Sequence, residues 1–274
     1  MRILLFSLFF CTAVVIVGCG GAELVDSPRI TMVIMHETSV TLIWEADTAI
    51  EYHEDFQGYN IYVSSDSNEL LTRSGENLNK INPEVIEDTT YEVRNVSQDT
   101  VFYFQVRTVN TENKVGDYND DVPFIAASPR PEFTVTLIWE VDAQSVDDSC
   151  AIRFSDAHIT SDSAMAADGA DMYVHFSGAP DDTVTLSSPS SHPWYFGNAR
   201  RTLFTNIGQY EFVDIYEITS EPAALWACVD VGDLVVAKTE DGNYVKIHIY
   251  AIDTNNNQMT ITYAYQNIAG FSRF

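Results

Sequence analysis

The chain has 274 residues and a formal net charge of −26, with 14 basic residues against 40 acidic ones. At 46% hydrophobic and 12% aromatic residues it can bury cores of its own and is not a disordered tail. The charge is spread over both halves, about −13 across residues 20–130 and about −14 across 131–274. Such a surface excludes nucleic acid and anionic headgroups as partners and leaves solubility, or attraction of cations and basic partners, as its roles.

In chain order, the opening "MRILLFSLFFCTAVVIVGCGG" carries one basic residue and then about 15 apolar ones, Ile3 to Val17. That run is short for a spanning helix and suits the core of a secretory leader. It ends in Ile16-Val17-Gly18-Cys19, which resembles the lipobox of bacterial lipoproteins. The resemblance implies cleavage before Cys19, acylation of Cys19, and a lipid anchor that ties the protein to the membrane. An ordinary cleaved leader or an uncleaved anchor is the alternative. Gly20 follows Cys19 where Asp would favour retention at the inner membrane, so the resemblance places the protein at the outer membrane or cell surface of a bacterium. Residues 1–19 are then the leader and 20–26 a tether. Of the remaining cysteines, an exported Cys150 and Cys228 suggest a disulfide, worth about 4 kcal/mol by loop closure. Two unpaired thiols are the alternative.

Residues 27–129 read as strands with polar turns and no helical period. Val40, Leu42 and Trp44 alternate, as do Tyr59, Ile61 and Val63, and then Phe102, Phe104 and Val106 with Tyr103, Gln105 and Arg107 facing the other way. Trp44, the Gly58-Tyr59 strand start and the alternate series Val96, Gln98, Thr100, Phe102, Phe104, Val106, Thr108, Asn110 resemble the fibronectin type III domain. The resemblance implies an immunoglobulin-like β-sandwich, with one departure. Phe102 stands where the family has its corner tyrosine, at the cost of a hydrogen bond worth about 1 kcal/mol. The loop "NTENKVGDYNDD" (110–121) has no Arg-Gly-Asp. Its Glu112, Asp117, Asp120 and Asp121 either gather calcium or form a solvated acidic loop, and no metal site is assigned.

"VTLIWE" occurs at Val40–Glu45 and again at Val135–Glu140, 95 positions apart, about one sandwich domain. The type III landmarks do not recur behind the second copy, so residues 130–274 are a second, different module. "ADMYVHFSG" (170–178) alternates Met172, Val174 and Phe176, and "DLVVAKTEDGNYVKIHIYAID" (233–253) is a hairpin about Asp241-Gly242. "QMTITYAYQ" (258–266) adds a third strand to a meander, while "EPAALWAC" (221–228) suggests a helical turn. Ser128–Glu132, Ala170-Asp171-Met172, the Gly232–Ile247 hairpin and Tyr263–Gln266 resemble the C-terminal region of uncharacterised bacterial lipoproteins carrying one type III domain. The expected fold is all-β: a fibronectin type III sandwich followed by a second antiparallel β-sandwich-like domain.

Motifs for catalysis are missing: there is no Gly-x-Ser-x-Gly elbow, His-Glu-x-x-His pair or phosphate-cradling glycine loop. Asp147/Asp148 and Asp181/Asp182 read as turn residues, and His175 and His248 as outward strand residues. Trp194 and Tyr195 in "SSHPWYFGN" are candidate sugar-stacking aromatics, or core plugs. No enzyme activity and no cofactor are expected. The expected function is a membrane-anchored, non-catalytic binding, adhesion or spacer module with a protein or glycan partner. A carbohydrate-active or other hydrolase with its site in the C-terminal domain is one alternative, and a subunit of a surface assembly is another.

Overall fold

Alternation sends Val40, Leu42 and Trp44 to one side of their strand, and burial of that side assembles the first half of the molecule. The computed structural model describes residues 26–45, 48–72, 75–139, 149–177, 183–193 and 198–274. Cys19 and its leader, Trp194, Tyr195, Asp147, Asp148, Asp181 and Asp182 lie outside the described residues. No helix among the described residues is long and apolar enough to cross a membrane.

The first half holds six strands: β1 (Arg29–Met35), β2 (Ser39–Glu45), β3 (Phe56–Ser64), β4 (Thr90–Arg94), β5 (Phe102–Asn110) and β6 (Ile125–Ala127). They make two antiparallel sheets, sheet I in the order β1-β2-β4 and sheet II in the order β3-β5-β6. Val40 and Leu42 from sheet I meet Tyr59, Ile61 and Phe104 from sheet II in one core, all of them fully buried. Each large side chain so placed contributes about 1.5–3 kcal/mol. Trp44 meets Tyr59 edge-on at 5.3 Å between ring centroids, and Phe102 packs against the same core. Gly58 is required where it stands. Its φ is +151°, and a Cβ there would lie 2.4 Å from Val85 Cγ1 and 2.5 Å from the Ile86 carbonyl oxygen.

The second half begins with β7 (Glu132–Ile138), β8 (Ala151–Arg153), β9 (His158–Thr160), β10 (Met172–Phe176) and β11 (Val184–Ser187). It continues with β12 (Leu203–Gln209), β13 (Trp226–Val229), β14 (Asp233–Lys238), β15 (Tyr244–Asp253) and β16 (Gln258–Tyr265). Sheet III runs β12-β14-β15-β16-β7 and sheet IV runs β13-β11-β10-β8-β9. The expected meander is β14-β15-β16, turning at Gly242 with φ +85°. Phe154, Phe204, Ile247, Ile261 and Tyr263 are fully buried between the two sheets, and Trp139 is 2% exposed.

Two expectations are corrected and a third is refined. "EPAALWAC" does not make a helical turn: Trp226–Val229 is a strand paired with β11, because cross-strand pairing and burial of Ala227 and Val229 outweigh the local preference of the alanines. Cys150 and Cys228 are not joined by a disulfide. Cys150 immediately precedes β8 and Cys228 lies in β13, three strands away across sheet IV, or roughly 14 Å at the ordinary strand spacing. A disulfide needs Cα atoms within about 7 Å. Finally, Gln105 and Arg107 do face away from the first core, yet they are 1% and 0% exposed, because other segments cover that side of sheet II.

The two sandwiches meet around residues 128–132 and the end of the chain. The Arg130 N–H donates to the His36 carbonyl (3.2 Å) and the Tyr265 N–H to the Pro131 carbonyl (3.1 Å). Phe271 packs against the first core, and Arg273 Nη1 donates to the Ala126 carbonyl (3.4 Å).

Candidate binding face

In sheet IV the alternation of β10, β11 and β13 puts Met172, Val174, Val184, Leu186, Ala227 and Val229 into the core. The residues between them line the outer face. The register pairs Tyr173 with Ser187 and Ser187 with Trp226, making one row. His175 pairs with Thr185 and Thr185 with Cys228, making a second. The three strands have five, four and four residues, and none of them is Asp, Glu, Lys or Arg. Trp226 is 56% exposed, and His175 and Cys228 are also exposed. Thr185 Oγ1 lies 3.2 Å from Ser187 Oγ and donates to the His175 carbonyl (3.3 Å).

One end of this face is walled. Cys150, Ala151, Met165, Ala170 and Tyr173 form a small core outside sheet IV, built by the segment that joins β9 to β10. Above it His192 meets Tyr173 edge-on at 5.4 Å, and its Nε2 lies 3.3 Å from Asp162 Oδ1. Burial lowers the His192 pKa; the Asp162 carboxylate opposes this and His175 adds to it. His192 is therefore neutral at pH 7. Burial also raises the Tyr173 hydroxyl pKa, against its hydrogen bonds to Ser191 and Ser187. The wall thus adds hydroxyl and imidazole groups to the floor without adding a cation.

The other candidates resolve differently. His175 and His248 sit on the outer faces of opposite sheets, β10 in sheet IV and β15 in sheet III, so they form no joint site. In the acidic loop, Glu112 pairs with Lys114 at 2.7 Å. Asp120 and Asp121 line a cavity of about 240 Å³ with Asp26, Ser27, Tyr118 and Asn119. No group of three His, Cys, Asp or Glu among the described residues is placed to hold a metal ion. Asp171 has a pKa raised by burial, but it is 2% exposed. Its Oδ2 accepts the Phe154 N–H (2.9 Å) and its Oδ1 accepts Arg200 Nε (2.7 Å). Arg200 also holds Asp241, so this carboxylate helps pin the β14–β15 turn.

Trp226 was missed because the alanines before it drew attention from the alternation Trp226, Cys228 against Ala227, Val229. That alternation is the signal that identifies both the strand and its exposed tryptophan.

A fourth region is the edge of sheet I. Ile81 and β4 residues Tyr91, Glu92, Val93 and Arg94 line an open groove of about 520 Å³, with Glu92 and Arg94 paired across 2.7 Å. Charges of this kind on an edge strand discourage addition of a further strand.

Among known proteins, residues 26–122 match the family model of the fibronectin type III domain. No curated protein matches the chain. The family 28 exopolygalacturonase of Yersinia enterocolitica is similar in solved structure, at 17% identity and a TM-score of 0.26. The match covers 40% of this chain and 21% of that one. The chain therefore spans about a fifth of the enzyme's length, and a likeness of this size carries no argument about activity. Residues 26–122 form a fibronectin type III sandwich, and a second antiparallel β-sandwich-like domain follows it.

Proposed function

We propose that the protein is a lipid-anchored bacterial surface protein that binds without catalysis. Cys19 holds it to the outer membrane, the type III domain spaces the second domain from the membrane, and the outer face of sheet IV makes the contact. The observation that carries this reading is that face: three strands free of charged side chains, with Trp226 56% exposed, on a chain of net charge −26. An exposed aromatic among uncharged residues matches the composition at the centre of contact surfaces, where charges are depleted and aromatics enriched. Against the hydrolase reading stands Asp171, whose carboxylate has a raised pKa but is enclosed and fully engaged. The assembly-subunit reading rests on the groove at β4, whose Glu92 and Arg94 oppose strand addition.

Two experiments test the proposal. Cys19→Ala should move the protein from the membrane fraction to the soluble fraction, and continued membrane retention would refute lipidation as the anchor. Purified residues 20–274 should turn over nothing in a broad hydrolase screen, and reproducible turnover lost on mutating a residue of the second domain would refute the non-catalytic reading.

A further inference from the structure

We infer that the outer face of sheet IV takes a neutral glycan, with Trp226 as its stacking platform; this rests on the binding reading above and names its ligand class. The first argument is charge. Charged residues punctuate several other strands, such as Glu92 and Arg94 in β4, Asp233 and Lys238 in β14, and Lys246 and Asp253 in β15, while β3, β6, β9, β12 and β16 share their absence. β10, β11 and β13 carry none. An anionic ligand approaching this acidic chain would be repelled by its overall field and would find no Lys or Arg on these strands to offset that. A cationic ligand would find no carboxylate on them to pair with. The ligand that suits such a face is uncharged.

The second argument is chemistry. Half-buried Thr185 presents a hydroxyl and exposed His175 an imidazole, beside the buried hydroxyls of Tyr173 and Ser187. A sugar hydroxyl donates and accepts, and it needs partners of both kinds. These groups lie on a grid set by the sheet, roughly 4.8 Å between strands and 6.8 Å between alternate residues. Trp226 closes one row of that grid with an apolar ring, against which the C–H face of a sugar can lie.

The third argument is size. Three strands of four or five residues make a face roughly 10 Å by 15 Å, whereas a stable protein interface buries about 800 Å² on each partner. Trp226 is also the one large hydrophobic side chain exposed on it among the described residues. The face matches a short oligosaccharide and falls well below a protein partner.

The face carries its own reporter. Cys228 is exposed in the row beside Trp226, while Cys150 is buried. Residues 20–274, which contain both sandwiches, would be run through gels containing hydroxyethylcellulose, xylan, galactomannan or mixed-linkage β-glucan, and separately through polygalacturonate or alginate. Maleimide labelling of Cys228 would be timed with each polymer present. The expected result is retardation by at least one neutral polymer and slower labelling of Cys228 in that polymer. Trp226→Ala should weaken retardation at least about tenfold, as loss of a central aromatic contact does, while Trp226→Phe should keep most of it. An unchanged thermal melt of Trp226→Ala would show that the fold is intact.

Retardation by the anionic polymers alone, retardation indifferent to Trp226→Ala, or no retardation by any neutral polymer would each overturn the assignment. These failures differ from failure of the underlying reading. Release of sugar fragments from a bound neutral polymer would sink the non-catalytic claim and leave the glycan assignment standing. A purified protein partner lost on Trp226→Ala would do the reverse.

Discussion

Each half of the molecule buries a cation on the outer side of a sheet, and the two are held by different chemistry. Arg107, on sheet II, is fully buried. Its Nη2 donates to the Leu70 (3.1 Å) and Thr72 (2.6 Å) carbonyls and its Nε to Gln105 Oε1 (2.6 Å), and the guanidinium carbon lies 5.8 and 5.5 Å from the Tyr62 and Tyr118 ring centres. Lys246, on sheet III, is 2% exposed and donates to the Ile215 carbonyl (2.8 Å). Its ammonium also lies 4.3 and 5.5 Å from the ring centres of Phe212 and Phe274. Burial lowers the pKa of both. The fork of Arg107 is so well matched by carbonyls that it stays charged at any ordinary pH. Lys246 falls from 10.5 to about 7, through burial and then the neighbouring Arg130, with Glu132 opposing. Both cations pin a covering segment to a sheet, but only the one in the second half has a charge that depends on conditions near neutrality.

The largest effect should come from removing the better-held cation. Arg107→Ala removes the guanidinium's hydrogen bonds to the Leu70 and Thr72 carbonyls and should destabilise the first sandwich by about 3–5 kcal/mol in denaturant unfolding followed by Trp44 fluorescence. Arg107→Lys should recover little, because an ammonium cannot match the fork. If Lys restores full stability, the contrast drawn above fails. Lys246→Met should have the opposite sign and stabilise the protein by about 1–4 kcal/mol at pH 6, since a poorly compensated buried charge is replaced by an apolar chain. A loss of stability would mean that the Ile215 carbonyl and the two rings outweigh desolvation.

The pH profile sharpens the same point. Between about pH 7 and 10.5 the unfolded chain holds a proton on Lys246 that the folded chain lacks. Stability should therefore rise with pH through that window, and the full penalty applies below it. In Lys246→Met that rise should flatten, as measured by thermal unfolding at pH 6, 8 and 9.5. The smallest change belongs to the exposed part of the outer face of sheet IV. Trp226→Ala should shift stability by less than about 0.5 kcal/mol, and a larger loss would show that the indole packs against its own domain.

The hexapeptide "VTLIWE" shows how much of this was legible in the sequence. Both copies send Val, Leu and Trp inward, and Trp44 and Trp139 are each 2% exposed. Yet β2 lies between β1 and β4, whereas β7 ends its sheet, paired with β16 and bridged by Ile138 to Ser149. Alternation reports which side of a strand faces a core and is blind to its neighbours. Gly58 and the Asp241-Gly242 turn were legible because backbone geometry singles out glycine there. The burial of Arg107 and Lys246 was not legible. Period two gives the side of the sheet, but the segments that cover that side come from 35 residues away in one case and 31 in the other. The missing disulfide has the same origin, since loop length carries no information about strand order.

The contacts at the end of the chain have a mechanical consequence. Pull on the protein between its N-terminal end and a ligand held on sheet IV, and the tension need not pass through residues 128–131 alone. Phe271 lodged against the first core and Arg273 bonded to Ala126 give it a second route beside the first. The two are tied together by Gln266, whose Nε2 donates to the Ser128 and Arg273 carbonyls. A junction fastened by more than its linker resists bending as a bracket does, so the sandwiches should swing as one arm instead of hinging at the prolines between them.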